Sequence, residues 1–291
     1  MNQQRVLVTG ANGQLSQAIV RFAPSETQCS ALSRAQLDIA SREDVARVFD
    51  DFKPDIVING AAYNLVDKAE GEGLNEALRV NALGVGVLAQ ACRENNARLV
   101  HFSTDFVFNG AKSSPYDEAD LTRPLGVYAA SKLCGENIAL ASSTRNLAIR
   151  VCRVFGPIEH GGSTQKPAGN FPLLMLKLGR ERDKVRVVND QIGAPSHTHD
   201  LAHGVWQLLE KSSGGLYHLS NAGEVSFADY AREIFELANV NCEVEGISTE
   251  EYNAPAHRPK YSSLNCDKAY AAGVQPLRHW RDALKEFIES L

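Results

Sequence analysis

The sequence predicts an α/β protein built on a Rossmann-type, doubly wound parallel sheet with a smaller C-terminal lobe. Short apolar runs of strand length alternate with amphipathic runs of helix length through the first half of the chain, as they do in βαβ units. A glycine-rich turn over residues 10–15 joins the first strand to the first helix. The alternation loosens after residue 155. We therefore expect a Rossmann domain over 1–155, to which later segments return, and a second lobe mainly over 156–291.

Composition places the chain among ordinary globular proteins. Of its 291 residues, 44% are hydrophobic and 22% are charged. The net charge of −5, without a basic run, argues against nucleic acid or a membrane surface as a partner. The sequence contains no apolar run of membrane-spanning length and no signal-peptide pattern. Its six cysteines are scattered and form no C-x-x-C pair, so we expect a reduced, cytoplasmic protein without a metal cluster or disulfide framework.

The first strand, 5–9, runs into a turn that suits an anion. Glycines allow a tight turn and a close approach of the backbone, and the positive end of the helix that includes 18–22 faces the same point. The residues assigned to this turn are Gly10, Asn12, Gly13, Gln14 and Leu15. Ser16 occupies the position of a third glycine in the usual dinucleotide fingerprint, so an ordinary glycine turn stays open as the alternative.

The second strand, 29–32, ends at Ser33 and Arg34. An acidic residue at this point would bind the ribose hydroxyls of NADH, whereas arginine offers a planar fork for the 2′-phosphate of NADPH. Arg34 therefore favours NADPH, with NADH as the alternative, although an exposed arginine bonded to nothing would look the same in the sequence. Ser41 then begins a helix of the capping-box kind that runs to about Phe52.

The third strand, 55–58, is followed by small residues at 59–62 and by a long helix expected over 66–95. The small residues permit a ribose to approach the backbone. Asn81 is either a buried polar link to the sheet or an exposed side chain. The apolar positions of this helix are Val80, Leu83, Val87, Leu88 and Ala91.

The fourth strand, 98–102, ends in the polar stretch 103–105, where an open α/β sheet binds its ligands. The next helix carries Tyr128 and Lys132, four residues apart and therefore on one face. In a partly buried site the ammonium would lower the pKa of the phenol, which could then exchange a proton with a sugar or alcohol oxygen. Alone, the pair is weak evidence, because the same spacing also occurs on solvated helix faces.

The remaining elements follow from the same patterns. We expect a loop at the mouth of the site over 156–169, helices over 170–178 and 200–210 and from Ser226, and strands over 147–151, 185–188 and 216–219.

Seven motifs occur in order along the chain. They are Gly10-x-x-Gly13-Gln14-Leu15, Leu37-Asp38-Ile39, Asp67-Lys68-Ala69-Glu70, Ser103-Thr104-Asp105-Phe106-Val107-Phe108, Tyr128-x-x-x-Lys132, Asn189-Asp190-Gln191-x-Gly193-Ala194-Pro195 and Arg258-Pro259. Together they resemble the extended short-chain dehydrogenase/reductase family, and within it the dTDP-4-dehydrorhamnose reductases, over nearly the whole chain.

The resemblance implies NADPH-dependent reduction of the C4 carbonyl of a nucleotide-linked 4-keto-6-deoxy sugar, first of all dTDP-4-dehydro-L-rhamnose to dTDP-L-rhamnose. It makes Tyr128 the proton donor, Lys132 the group that holds the nicotinamide ribose, and Thr104 a hydrogen-bond donor to the same carbonyl oxygen. The cofactor set is Gly10, Asn12, Gly13, Gln14, Leu15, Ser33, Arg34, Asp38, Ile39, Ala61, Ala62, Tyr63, Ser103, Tyr128 and Lys132. The substrate set is Thr104, Asp105, Arg153, Asn170, Gln191 and Arg258.

The chain departs from the family pattern at three positions that matter for function. Arg153 stands where many such reductases carry tryptophan, so a cation replaces a stacking ring and could pair with a diphosphate or a sugar carboxylate. Ala18 and His199 occupy two positions at which some members place metal-binding glutamates. We therefore expect no metal, and a monomer or a homodimer.

Two alternative functions remain open. The first is a reductase or epimerase acting on a different nucleotide sugar; dehydration is disfavoured because Phe106 occupies the slot of an acid–base glutamate. The second is a non-catalytic NADP-binding regulatory subunit, similar to the β subunit of methionine adenosyltransferase.

Overall fold

The computed structural model describes residues 3–158 and 169–291. Its strands are β1 (Gln4–Thr9), β2 (Thr27–Leu32), β3 (Ile56–Asn59), β4 (Arg98–Thr104), β5 (Leu147–Val151), β6 (Val154–Phe155), β7 (Lys184–Val188), β8 (Ile192–Gly193), β9 (Ser196–His197), β10 (Gly215–Leu219), β11 (Val225–Ser226) and β12 (Glu243–Ile247).

Its α-helices are α1 (Gln14–Arg21), α2 (Arg42–Phe52), α3 (Val66–Ala69), α4 (Leu74–Leu78), α5 (Val85–Glu94), α6 (Val127–Ser142), α7 (Phe171–Glu181), α8 (Thr198–Lys211), α9 (Phe227–Leu237), α10 (Thr249–Tyr252), α11 (Asp267–Ala271) and α12 (Trp280–Glu289). A π-helix covers Arg79–Gly84 and a 3₁₀-helix covers Asp105–Val107. Within the described ranges, no helix combines the length and the apolar character needed to cross a membrane.

The central sheet is parallel throughout, with six strands in the order β10-β5-β4-β3-β1-β2. The chain direction across the sheet reverses between β1 and β3, and doubly wound sheets bind their ligands at such a point, outside the carboxyl ends of the strands. The predicted doubly wound parallel sheet is confirmed. β10 comes from beyond residue 155, so a late segment returns to the sheet, while the domain boundary at 155 stays a prediction.

Both faces of the sheet are buried under helices, and successive side chains of each strand point to opposite faces. Val6 and Val8 of β1 belong to an apolar cluster with α1 and α8. Leu7, between them, belongs to a second cluster with α2, α5 and α6. The continuous apolar runs of the sequence therefore mark strands covered on both sides.

A third apolar cluster forms the core of the C-terminal lobe. It joins Met175 of α7, Val185 of β7, Tyr230 of α9 and Leu284 of α12. In this lobe β7 pairs in parallel with β12, and β8 pairs with β11 in the antiparallel direction.

The prediction of a single long helix over 66–95 is wrong. The segment contains α3, a turn, α4, the π-helix and α5. Gly73 lies at the turn, where a Cβ would come 2.0 Å from the hydroxyl of Tyr63, so this close packing requires glycine. The wider turn of the π-helix shifts the side chains that follow. As a result Leu83, expected on the buried face, is 65% exposed, whereas Val80 is buried.

Other expected elements agree with the structure to within a few residues. The hydroxyl of Ser41 accepts the N–H of Asp44 at 3.1 Å and caps α2, as predicted. Helix α1 begins at Gln14, earlier than the amphipathic stretch 18–22 indicated. The loop expected over 156–169 falls mainly on 159–168, outside the described residues.

Candidate active site

The turn after β1 has the geometry of an anion cradle. Gly10 has a φ of +68°, and a Cβ there would come 2.8 Å from the backbone of Gly60 and Ala61. Gly13 precedes α1, and no side chain caps this helix. The first backbone N–H groups of α1 are therefore left for a ligand, at the positive end of the helix dipole.

Ser16, which replaces the third glycine of the fingerprint, is accommodated by a glycine elsewhere. Its side chain is buried, and its hydroxyl donates to the carbonyl of Thr9 at 3.1 Å. A Cβ on Gly60 would come 2.1 Å from the Ser16 hydroxyl oxygen. The close approach of helix and strand is therefore kept, with Gly60 at the end of β3 supplying the space.

The end of β2 carries an arginine with a partner. The Nη2 of Arg34 lies 2.8 Å from Glu76 Oε1, and Arg79 Nη1 donates to Asp38 Oδ2 at 2.8 Å. The alternative that Arg34 bonds to nothing is therefore wrong. Ser33 lies in the turn that follows β2, as its place in the sequence indicated.

The loop after β3 presents backbone to the site. The N–H of Tyr63 donates to Asn81 Oδ1 at 2.8 Å, and its carbonyl accepts from Asn81 Nδ2 at 3.1 Å. The ring of Tyr63 and the side chain of Ile39 are buried in the core, so these two residues can meet a cofactor only through their backbone. Asn81 also donates to Ser131 Oγ at 3.0 Å. Asn81 is buried, as the first of the two alternatives predicted, but it links the loop after β3 to α6 and not to the sheet.

Thr104, Asp105, Tyr128 and Lys132 come together at the carboxyl end of β4, and we call these four residues the reaction centre. Tyr128 lies close enough to Thr104 and Asp105 for both to shift the pKa of its phenol. Thr104 Oγ1 donates to Asp105 Oδ1 at 3.1 Å. Lys132 is buried one helical turn from Tyr128, and its Nζ donates to the carbonyl of Phe102 at 2.5 Å.

The prediction that Lys132 lowers the pKa of Tyr128 is wrong for this structure. Burial raises the pKa of Tyr128 to about 12, Asp105 adds to the rise, and Thr104 opposes it. Burial also lowers the pKa of Lys132 to about 8, with Glu136 opposing. The Lys132 ammonium is directed at a backbone carbonyl. A phenol that keeps its proton at neutral pH is a proton donor, the form that carbonyl reduction requires.

Asp105 is enclosed by hydrogen-bond donors. The thiol of Cys152 donates to Oδ2 at 3.1 Å, and Thr104 donates to Oδ1. The nearby Ser262 hydroxyl favours the charged carboxylate. Burial raises the pKa of Asp105, while these donors and the guanidinium of Arg153 oppose the rise. The carboxylate is therefore fixed in orientation beside the two reacting hydroxyls.

The segment 67–70 has two structural roles that the sequence did not reveal. Glu70 Oε1 accepts the N–H of Val127 at 2.7 Å and so caps α6, the helix that carries Tyr128. Asp67 receives both Nη groups of Arg258, at 3.0 and 2.8 Å. The Asp67-Lys68-Ala69-Glu70 motif marks this segment in the sequence, but the motif does not show that Glu70 pairs with Val127 or that Asp67 pairs with Arg258. Arg258, expected at the substrate, is engaged here, and its substrate contact stays a prediction.

Arg153 is held inside the C-terminal lobe. Its Nη1 and Nη2 donate to the carbonyls of Val225 and Gln191, each at 2.8 Å. The guanidinium carbon lies 3.8 Å from the ring centroid of Phe227, a cation–π arrangement. These contacts give Arg153 a structural role in the lobe, and its pairing with a substrate anion stays a prediction.

Asn170 and Gln191 are also engaged within the protein. Asn170 caps α7 by accepting the N–H of Leu173 at 3.2 Å, and its amide donates to Gln14 Oε1 at 3.0 Å. The amide of Gln191 donates to Thr249 Oγ1 at 3.0 Å. Asn170 thereby joins the lobe to the turn after β1, and the substrate roles of both residues stay predictions.

Ser103, next to the reaction centre, is buried, and among the described residues its hydroxyl has no hydrogen-bond partner. His199 occupies one of the two positions at which some family members carry a metal-binding glutamate, and it packs against the rings of Phe22 and His197. Across 3–158 and 169–291, no three or more His, Cys, Asp or Glu side chains are grouped to hold a metal ion.

Comparison with known proteins gives one consistent result. The family model described as the RmlD substrate binding domain matches residues 4–291. The spore coat polysaccharide biosynthesis protein SpsK of Bacillus subtilis is 38% identical, over 98% of this chain and 97% of that protein. The dTDP-4-dehydrorhamnose reductase of Aggregatibacter actinomycetemcomitans is 38% identical, over 97% of each chain. The crystal structure of dTDP-4-dehydrorhamnose reductase from Bacillus anthracis in complex with NADP superimposes with a TM-score of 0.92, at 34% identity, over 99% of this chain and 100% of that one.

Proposed function

The chain belongs to the RmlD substrate binding domain family, and from this premise we propose that it is an NADPH-dependent reductase of nucleotide-linked 4-keto-6-deoxy sugars. The substrate we propose is dTDP-4-dehydro-L-rhamnose, reduced at C4 to dTDP-L-rhamnose. The observation that carries the proposal is the buried Lys132 one helical turn from Tyr128 at the carboxyl end of β4, where Thr104 and Asp105 both lie close enough to shift the pKa of the Tyr128 phenol. The relatives named as reductases of this type support it.

The residues along this edge fit a dinucleotide. The turn at Gly10 leaves a cradle that a Cβ would fill, and the uncapped start of α1 offers N–H groups to a pyrophosphate. The buried hydroxyl of Ser103 has no partner in the described part of the chain and can take a polar group of the cofactor. Arg34 stands at the end of β2, where the adenosine ribose is read.

In the proposed reaction, bound NADPH supplies hydride to the C4 carbon. Tyr128 holds its proton because burial raises the pKa of its phenol to about 12, and it passes that proton to the carbonyl oxygen as charge develops there. Thr104 hydrogen-bonds the same oxygen and orients it. We assign Lys132 to the nicotinamide ribose, since a pKa of about 8 keeps most of its ammonium charged at neutral pH and able to donate hydrogen bonds.

Two features bear on the alternatives. Phe106, whose ring packs edge-on 6.2 Å from that of Tyr128, cannot move a proton, which disfavours dehydration. An intact reaction centre favours catalysis over a regulatory subunit.

Each of the six cysteines is a free thiol, which supports the cytoplasmic location that we propose for the protein.

The test is NADPH oxidation against dTDP-, UDP-, GDP- and CDP-linked 4-keto-6-deoxy sugars, with Tyr128→Phe as the matched inactive control. We expect the highest kcat/KM with dTDP-4-dehydro-L-rhamnose. A higher kcat/KM with another sugar would change the substrate and keep the reaction. Binding of NADPH without turnover of any of these sugars would favour the regulatory subunit.

A further inference from the structure

Four charged residues gather at the carboxyl end of β2, and we call them the paired cluster: Arg34, Asp38, Glu76 and Arg79. Glu76 is its centre. Its Oε1 lies 2.8 Å from Arg34 Nη2 and accepts from Arg79 Nη2 at 3.0 Å, while its Oε2 accepts from Arg79 Nε at 2.8 Å. Arg79 reaches Asp38 with its remaining Nη1 at 2.8 Å.

The paired cluster lies against the anion cradle. The N–H of Ala11, in the cradle, donates to the carbonyl of Leu32, the last residue of β2, at 3.1 Å. Arg34 follows Leu32 by two residues, at the end of the second strand, where doubly wound folds read the adenosine ribose. Its side chain is 63% exposed, so it can change partner without unpacking the core.

The charges of the paired cluster cancel, because two guanidinium groups face two carboxylates. Arg79 holds the Glu76 carboxylate through two bonds, in the fork geometry with which arginine also binds phosphate, and Arg34 contacts the same carboxylate through Nη2. A 2′-phosphate arriving at Arg34 therefore meets a site that an internal anion occupies. A ribose with a free 2′-hydroxyl carries no such charge and leaves these ion pairs intact.

Resting on the proposed function, we propose that Glu76 sets the preference between NADPH and NADH, by competing with the 2′-phosphate for Arg34. Binding of NADPH requires Arg34 to exchange the Glu76 carboxylate for the phosphate, and the repulsion between the two anions weakens that cofactor alone. The preference that Arg34 gives for NADPH is thus reduced by Glu76. Arg79 keeps Glu76 in place, because it bonds Glu76 through Nε and Nη2 and is itself held by Asp38 through Nη1.

The experiment measures dissociation constants for NADPH and NADH by nicotinamide fluorescence in the parent and in Glu76→Gln. Gln keeps the size of the side chain and removes its charge. Exposed arginine–carboxylate pairs are worth up to about 1 kcal/mol, so we expect NADPH to bind about 3–5-fold more tightly and NADH to bind as before. Binding of 2′,5′-ADP should tighten to the same extent, and binding of 5′-ADP should not.

Two further variants isolate the cause. Glu72→Gln removes the same charge from an exposed pair with Lys68 and should change neither cofactor. Arg34→Ala in the Glu76→Gln background should abolish the gain for NADPH. If Glu76→Gln does not fold, Glu76→Asp replaces it: the shorter side chain draws the carboxylate back from Arg34 and should tighten NADPH alone.

The outcomes separate this inference from the proposed function. Unchanged affinities in Glu76→Gln, or an equal gain for both cofactors, overturn the role of Glu76 while the reductase stands. A parent protein that binds neither cofactor overturns both. A gain that survives Arg34→Ala assigns the 2′-phosphate to another cation and overturns the competition described here.

Discussion

The carboxyl ends of β2 and β4 lie at the same edge of the sheet, yet they hold their charged groups in opposite ways. In the reaction centre, Asp105 and Lys132 are buried, and Lys132 donates to a backbone carbonyl. In the paired cluster, every charged group is partly exposed and bonded to an opposite charge. Burial shifts the pKa values of the reaction centre, whereas water screens the pairs of the cluster.

The difference indicates what each end can do. The protonation state of a buried group without an ion-pair partner is set by desolvation, and loss of such a group at a general acid changes the barrier by roughly 3–5 kcal/mol. A screened pair exchanges partners at a cost of about 1 kcal/mol or less, which suits recognition of a ligand that brings its own charge. The comparison therefore predicts large effects for buried groups and small effects for exposed ones.

The largest expected effect is at Tyr128. Tyr128→Phe keeps the ring and removes the oxygen that donates the proton. General acid catalysis by one positioned group contributes about 10²–10⁴ in rate, or roughly 3–5 kcal/mol of barrier. We expect kcat to fall by that factor while the dissociation constant of NADPH is preserved, as single-turnover kinetics and fluorescence titration can measure. A variant that reduces a 4-keto sugar at nearly the parent rate would make the Tyr128–Lys132 pair a helix face without catalytic role.

Arg153 extends the comparison to the C-terminal lobe. Arg153→Met leaves the carbonyls of Val225 and Gln191 without their donors, and charged hydrogen bonds of this kind contribute roughly 1.5–3 kcal/mol each. We expect the free energy of unfolding in urea to fall by about 3 kcal/mol, the sum of two such bonds at the lower end of that range. Arg186→Met is the matched control, because Arg186 is an exposed residue of the same lobe, and it should change stability little. Equal, small losses in both variants would show that the contacts of Arg153 are not stabilising.

Acid should destabilise the buried side of the molecule through His218. Burial lowers the pKa of His218 to about 3, and neighbouring Arg150 adds to this effect. Between pH 6.5 and 3 the unfolded chain therefore binds more protons than the folded chain, so stability falls as the pH falls, by up to about 1.4 kcal/mol per pH unit from this group. His218→Gln should show a shallower decline in urea unfolding between pH 7 and 5. Parallel declines for parent and variant would contradict this account.

Glu70 should give the smallest of these effects, because its partly buried carboxylate contributes a helix cap, and a cap is worth about 1 kcal/mol. Glu70→Ala removes the cap from the N–H of Val127. Loss of a helix cap costs about 1 kcal/mol, and we expect a matching fall in stability with faster hydrogen exchange in the first turn of α6. Glu72→Ala, 70% exposed in the following turn, serves as control and should leave exchange in α6 unchanged. Unchanged exchange in Glu70→Ala would mean that packing alone fixes the start of α6.

The sheet and most helices were predictable because they depend on local patterns. Alternating apolar runs located the strands, and the i, i+4 spacing placed Tyr128 and Lys132 on one face of α6. The break of the long helix was not predictable, since Gly73 owes its place to packing against the hydroxyl of Tyr63, and the π-helix shifts Leu83 into solvent. Neither cause has a signature in the apolar spacing.

The candidate site was predictable in its membership more than in its electrostatics. Thr104 and Tyr128 lie close together, as expected, while their catalytic roles stay predictions; the direction predicted for the pKa of the phenol is wrong. Desolvation depends on residues from several strands and helices that enclose the group, and no local pattern records it. The pairing of Arg34 with Glu76 joins residues 42 positions apart (76 minus 34) and is equally invisible in the sequence.

The packing of Ser16 against Gly60 has a consequence for how the sequence can change over evolutionary time. Of the three atoms closest to a Cβ on Gly60, two belong to Ser16 and the third is the carbonyl oxygen of Thr9, at 3.0 Å. A side chain at position 60 therefore becomes easier to accept once position 16 has lost its hydroxyl, since the Ser16 Cβ would lie 3.5 Å away. The order of the two substitutions matters: Ser16→Ala or Ser16→Gly opens a path to alanine at 60, whereas Gly60→Ala first meets a steric barrier. In this way one serine at the start of α1 constrains the residue that follows β3.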